Sequence, residues 1–399
     1  MAHPSFLRTL PLAALLVLGA CREGSEQGGT FVIIEPSPAG TQGCVPLTVA
    51  LGPATIAFQS ADFGELSQIA ASSDPTVDET FYWTAEDGGV RRLILPAGGG
   101  MPLDQDVIVS GTIEAQYLLP AIALPASLSG IAVIDEQRLV VAEHASNTLV
   151  IVRTDLLDRV DGGIGLKVPS GGFSDGSGAN ISFRFTEPVP LLVDATDSIF
   201  VGDTGNNAVR VVLPSVIPES ATIAGNGAPG DGEGPAPLPR FDTPSGIAAS
   251  CAQELVLVES GAAGVAGHRL VSLQIREGLF GGFDTDSLVL AGDGTEATTQ
   301  GVDTAAQLAT PMGMASTAAG QLFWVDADGT TTGEAILRRY DFTTGLSDCP
   351  MFPDCATAVV QPSAFTGSRF SVVIGASGAL YVLGFDDVSG TGTLWRVGT

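Results

Sequence analysis

The sequence predicts an all-β protein, a six-bladed β-propeller with four-stranded blades, closed by a strand from the amino-terminal part of the domain. Three observations predict it. An apolar opener recurs about every 56 to 67 residues. Each opener is followed by further strand-like runs separated by short turns. With 51 Gly and 25 Pro in 399 residues, the chain is interrupted too often for long helices, and its 45% apolar content excludes wholesale disorder.

The openers lie near Ile69, Ile131, Leu191, Ile247, Met314 and Val372. Second strands follow at Phe81–Thr84, Leu139–Ala142, Ile199–Gly202, Leu255–Val258, Leu322–Val325 and Leu380–Leu383. Third strands follow at Val90–Leu95, Thr148–Arg153, Ala208–Leu213, Arg269–Ile275, Ile336–Phe342 and Thr393–Val397. A fourth strand is clearest at Ala221–Ala224 and Leu288–Ala291. These runs are β-branched and aromatic, bounded by Gly, Asp, Ser and Pro. One such sheet has two apolar faces and cannot bury both alone, whereas a ring of six buries every face. The last unit holds only three strands, so Thr55–Gln59 is expected to supply its fourth. A seventh blade is the alternative if Phe31–Leu51 contains one.

Asp203-Thr-Gly-Asn-Asn-Ala-Val-Arg-Val-Val212 resembles the core of an NHL repeat, as do Thr222-Ile-Ala-Gly-Asn-Gly227 and Phe241-Asp-Thr-Pro-Ser-Gly-Ile-Ala248. Ala291-Gly-Asp-Gly294 with Ala305-Ala-Gln-Leu-Ala-Thr-Pro-Met-Gly313 repeats the pattern. The resemblance covers about 171–330 and weakens in the outer units. It departs where His144-Ala-Ser replaces Thr-Gly-Asn and where Gly261–Gly267 replaces a short turn.

Residues 1–20 read as a signal peptide: Arg8, then an apolar run over Leu10–Leu18 far short of the roughly 20 residues that span a bilayer. Leu18-Gly19-Ala20-Cys21 resembles a bacterial lipobox, which implies cleavage before Cys21 and a lipid on its sulfur. Residues 21–53 then form a lipidated Cys, a flexible tether and an extended lead-in, and 54–399 the propeller. Arg22, in place of Asp, implies outer-membrane retention by the same resemblance. The expected location is therefore the cell envelope, anchored in the outer membrane and facing the periplasm or the cell surface. The apolar stretch Leu118–Ile134 contains Pro120 and Pro125 and is not read as a second span.

Four further cysteines remain, Cys44, Cys251, Cys349 and Cys355. Outside the cytoplasm an even count favours disulfides, and four allow three pairings. Cys349 and Cys355 are close in sequence with two prolines between them, so that pair is expected, leaving Cys44 and Cys251.

The chain has 17 basic and 44 acidic residues, a net charge of −27, and Lys167 is its one lysine. That balance argues against a nucleic-acid partner, which requires clustered cations to displace counterions. It favours cations or basic surfaces instead.

Glu143, Asp203, Glu259 and Asp326 fall at one repeat position, the end of the second strand. They are expected to accept turn N–H groups or to pair with third-strand arginines such as Arg210, rather than to form a ring of metal ligands. Asp175, Asp231 and Asp293 lie in long glycine-rich connections and, with Glu187, are the candidate ligand-binding residues. Calcium is the one cofactor these acids suggest, although no EF-hand pattern is present. Phosphate cradling is not expected, because none of these loops leads into a helix. His144 and His268 fall at turns. Catalysis by either would need a carboxylate orienter, and Glu143 points away from its neighbour His144. No metal site and no catalytic residue is assigned.

Six-bladed relatives of this architecture include calcium-dependent lactonases, esterases and lyases with Glu, Asn and Asp on the inner strands. Here those strands carry mainly Ile, Ala, Val, Leu and Met. The reading is therefore a lipid-anchored, monomeric binding or scaffold module. Its partners are the membrane, through the anchor, and a protein, peptide or glycan on the loop face. The alternative is a calcium-dependent hydrolase or lyase acting in the central channel.

Overall fold

In the computed structural model, the residues described are 54–60, 68–72, 78–84, 89–97, 101–108, 112–113, 122–123, 127–155, 160–165, 170–232, 239–250, 254–261, 267–277, 283–297, 299, 301–317, 321–327, 335–342, 346–348, 369–386 and 389–397. They form six antiparallel sheets arranged in a ring, a six-bladed β-propeller. No described helix is long and apolar enough to cross a membrane.

From the axis outward, blade 1 comprises Ile69–Ala71, Glu79–Thr84, Val90–Leu95 and Leu103–Ile108. Blade 2 comprises Leu128–Asp135, Arg138–Glu143, Thr148–Arg153 and Val160–Ile164. Blade 3 comprises Leu191–Val193, Ile199–Asp203, Ala208–Leu213 and Glu219–Ala224, with the short edge strand Gly176–Ser177 outside them. Blade 4 comprises Pro244–Ala249, Leu255–Glu259, Arg269–Glu277 and Phe283–Ala291. Blade 5 comprises Thr310–Ser316, Leu322–Ala327, Ala335–Asp341 and Leu346–Asp348, edged by Gly301–Val302. Blade 6 comprises Arg369–Ile374, Leu380–Asp386, Thr391–Val397 and, last, Ala54–Ser60.

Closure is direct. Ala54 pairs with Val397 and Ser60 with Gly392 in antiparallel register, with one bulge between Ile56 and Phe58. The innermost strand of each blade touches that of the next all the way round, including the sixth and the first. The seven-blade alternative is not realised among the described residues, and Phe31–Leu51 lies outside them.

The core lies in the seams between blades. Apolar clusters join blades 1 and 2, 2 and 3, 4 and 5, 5 and 6, and 6 and 1. Phe81 of blade 1 meets Tyr381 of blade 6 edge-on at 4.7 Å between ring centroids. Each large apolar side chain buried this way contributes about 1.5–3 kcal/mol. Backbones also approach closely at the seams. A Cβ on Gly130 would lie 2.2 Å from the Val189 carbonyl oxygen, so only glycine lets blade 2 sit against the lead-in to blade 3.

Because successive strands alternate in direction, the turns after each second strand share one face with the connections between blades. The turns after each first strand lie on the opposite face. The first of these is the loop face.

Candidate functional site

On the loop face, Asp203, Glu259 and Asp326 share one arrangement. Each lies at or next to the end of a second strand and is fully buried. One carboxylate oxygen pairs with a third-strand arginine. Asp203 lies 3.0 Å from Arg210 Nη1, Glu259 lies 2.6 Å from Arg269 Nη2, and Asp326 lies 2.9 Å from Arg338 Nη1. The other oxygen accepts a backbone N–H from the lead-in to its own blade, from Arg184 at 2.8 Å, Asp242 at 3.0 Å and Ala309 at 2.8 Å.

The arginines also donate to carbonyls of the long connections. Arg210 reaches Ser174 at 2.7 Å and Ser182 at 3.2 Å. Arg269 reaches Asp231 at 3.2 Å, and Arg338 reaches Gln307 at 2.7 Å and Thr299 at 2.9 Å. Three clasps thus pin three connections, as anticipated for Arg210 and repeated at the other two. Burial pushes Asp203 and Asp326 up to about 6 and Glu259 up to about 7, against the pull of the paired arginines.

Blade 2 differs. Val150, opposite Val141, stands where Arg210 stands opposite Val201. Glu143 therefore turns to its own turn, accepting from the N–H groups of Ala145 at 3.1 Å and Ser146 at 2.8 Å and from the Ser146 hydroxyl.

A second device locks the seams. Asn147 and Asn207 adopt the left-handed conformation, at φ 58° and 48°, a region Asn tolerates better than most residues. Their Oδ1 atoms accept the N–H groups of Phe185 at 2.6 Å and Thr243 at 2.9 Å in the following lead-in. His268, at φ 55°, does the same job with its Nδ1 on the Ala309 carbonyl.

His144 is placed differently. It follows Glu143 and bonds through its backbone N–H to the Ser127 carbonyl at 2.9 Å. Its Nδ1 lies 3.1 Å from that same carbonyl oxygen and 3.1 Å from Oε1 of Glu187, in the lead-in to blade 3. The carbonyl takes the hydrogen bond, and Glu187 supplies the charge at the same distance. The imidazole side chain is 33% exposed and the carboxylate 18%. His144 follows the second strand of blade 2 and Glu187 precedes the inner strand of blade 3, both on the loop face. The carboxylate partner that Glu143 cannot provide is thus supplied by a residue 43 positions away, which the sequence did not connect to His144.

Asp175, Asp231 and Asp293 are held within the connections. Asp175 lies 2.7 Å from Arg210 Nη2 and accepts the Thr222 N–H at 2.9 Å. Asp231 uses its carbonyl on Arg269, and its side chain is exposed. Asp293 accepts from the Thr295 N–H at 2.8 Å and Gln307 Nε2 at 3.0 Å. Among the described residues, no three of His, Cys, Asp and Glu are grouped so as to hold a metal ion. Cys21, Cys44, Cys251, Cys349 and Cys355 lie outside the described residues.

No protein-family model and no curated protein matches the sequence. Several solved structures align with most of the chain. One is regucalcin, a calcium-binding protein of Agrobacterium tumefaciens, 13% identical over 86% of this chain and 96% of that one, with a TM-score of 0.48. Another is virginiamycin B lyase of Staphylococcus aureus, 8% identical over 87% and 99%, with a TM-score of 0.46. A third is a gluconolactonase of Xanthomonas campestris, 17% identical over 90% and 98%, with a TM-score of 0.44.

Proposed function

We propose that this chain is a lipid-anchored, extracytoplasmic binding module that takes a basic protein or peptide segment on its loop face. The observation that carries the reading is the set of three acid–arginine clasps. They fix the shape of the long connections before any ligand arrives, which lowers the ordering cost of binding. On those connections Asp231, Asp293, Glu296 and Asp303 are exposed, and Asp175 keeps 44% of its side chain open. With a net charge of −27, such a face attracts cations and repels polyanions. Cys21 supplies the anchor, residues 22–53 the tether and lead-in, and Cys349–Cys355 a local disulfide.

Titration with a Lys/Arg-rich peptide at rising salt tests the loop face. Binding that weakens with salt is expected, and heat-silent titration at low salt would end this reading. For the anchor, Cys21→Ala is expected to move the protein from the membrane to the soluble fraction, and membrane retention of that variant would exclude it.

A second reading, a hydrolase or lyase, is favoured by the contact between His144 and Glu187 on the loop face. Among the described residues the acids do not assemble into a calcium site.

A further inference from the structure

We infer that His144 and Glu187 form a proton-transfer dyad for the hydrolysis of carboxylic esters or lactones, an inference that rests on the second reading above. The argument begins with the repeat itself. In blades 3 and 4 the residue after the acid is a hydroxyl residue whose side chain bonds the lead-in carbonyl opposite it. In blade 3 the Thr204 hydroxyl donates to the Pro188 carbonyl at 2.8 Å. In blade 4 the Ser260 hydroxyl donates to the Thr243 carbonyl at 3.4 Å. In blade 2 His144 meets the Ser127 carbonyl at 3.1 Å. A hydroxyl suffices for this contact, so the imidazole adds something the architecture does not require.

What it adds follows from its partners. Nδ1 faces two groups that only accept, the Ser127 carbonyl and the Glu187 carboxylate. A neutral ring must therefore keep its proton on Nδ1. That leaves the lone pair on Nε2, which makes no hydrogen bond to any described residue. A fixed tautomer, a charge behind one nitrogen and an unengaged second nitrogen are what a general base needs. His268, the other described histidine, instead spends its Nδ1 on a seam carbonyl.

The size of the effect selects the substrate. General-base catalysis by one imidazole gives about 10²–10⁴-fold. That is useful for reactive acyl bonds and small beside the barriers of amides or phosphodiesters. In the step, Nε2 takes a proton from water as the water oxygen bonds to the acyl carbon. The acyl C–O bond then breaks, and the leaving oxygen takes that proton from Nε2, so that ester and water become acid and alcohol. Glu187 stabilises the imidazolium formed between the two transfers. The acidic surroundings favour neutral or cationic esters over anionic ones.

The test uses p-nitrophenyl acetate and dihydrocoumarin with the full chain, His144→Thr and Glu187→Gln. His144→Thr installs the residue that blade 3 already carries, so it keeps the bond to Ser127 and is expected to melt with the parent. Saturable turnover by the parent is expected, with kcat lowered about 100-fold or more in His144→Thr. Glu187, a positioning residue, is expected to lower kcat by a smaller factor when changed to Gln, with KM unchanged. Turnover in His144→Thr within twofold of the parent would overturn the dyad and leave the hydrolase reading standing. A parent inert toward both compounds would overturn that reading and the dyad with it.

Discussion

The N–H of Thr243, at the foot of blade 4, donates to Oδ1 of Asn207, in the turn of blade 3, at 2.9 Å, and both residues are buried. Asn207→Gly keeps the left-handed backbone of that turn and deletes only the side chain. The Thr243 N–H is then buried without a partner, which costs about 1–3 kcal/mol. Urea denaturation should show a lower midpoint, and an unchanged midpoint would mean that the seam does not depend on this bond.

Arg210 and Asp203 are both fully buried, with 3.0 Å between their paired atoms. Arg210→Met leaves the carboxylate buried and uncompensated, and breaking such a pair costs about 3–5 kcal/mol. The loss should be largest above pH 7, where Asp203 carries its charge. Because Arg210 also holds the Ser174 and Ser182 carbonyls, protease cleavage within residues 170–185 should become faster in this variant.

Glu259 supplies a pH signature. Burial raises it from 4.5 to about 7, against the pull of Arg269. A raised folded-state value means that the folded chain binds the proton more tightly than the unfolded one. This contribution to stability is fully present below about pH 4.5 and is lost as pH rises through about 7. Glu259→Gln should flatten the decline between pH 5 and pH 7.5, by on the order of 1–3 kcal/mol. Asp203 and Asp326 act with the same sign up to about pH 6. An equal slope in the variant, followed by chemical denaturation across pH, would remove Glu259 as its source.

Removal of residues 54–60 should open the ring. Trp395, buried opposite Ile56, would then sit on an uncovered edge strand. A red-shifted tryptophan emission and concentration-dependent aggregation are expected. An unshifted spectrum would show that blade 6 is complete without its borrowed strand.

The first three strands of every blade were legible because they are continuous apolar, β-branched or aromatic runs facing two neighbours. The fourth strands of blades 1, 2 and 5 were not. Leu103–Ile108, Val160–Ile164 and Leu346–Asp348 lie at the rim and carry Asp, Gln, Gly and Ser, so burial left little pattern in them. The edge strands Gly176–Ser177 and Gly301–Val302 are shorter still. The acids after the second strands were legible because Asp203, Glu259 and Asp326 recur in register. Their arginines were harder to place, since the turns differ in length and Arg269 stands directly opposite its acid while Arg210 and Arg338 stand two residues further along, giving separations of 7, 10 and 12 positions. Glu187 and His144 carry no shared motif. The one cue was an imidazole in a slot that its sister repeats fill with Thr204 and Ser260.

The pairing of Gln59 with Thr393 spans 334 positions. A polypeptide made from its amino end exposes its opening ribbon first and must hold it unmated until nearly the whole chain has emerged. Ring completion is consequently the slowest and last event of assembly, since contacts so distant along the chain form late. Synthesis interrupted before Thr391–Val397 leaves Ala54–Ser60 without its partner strand.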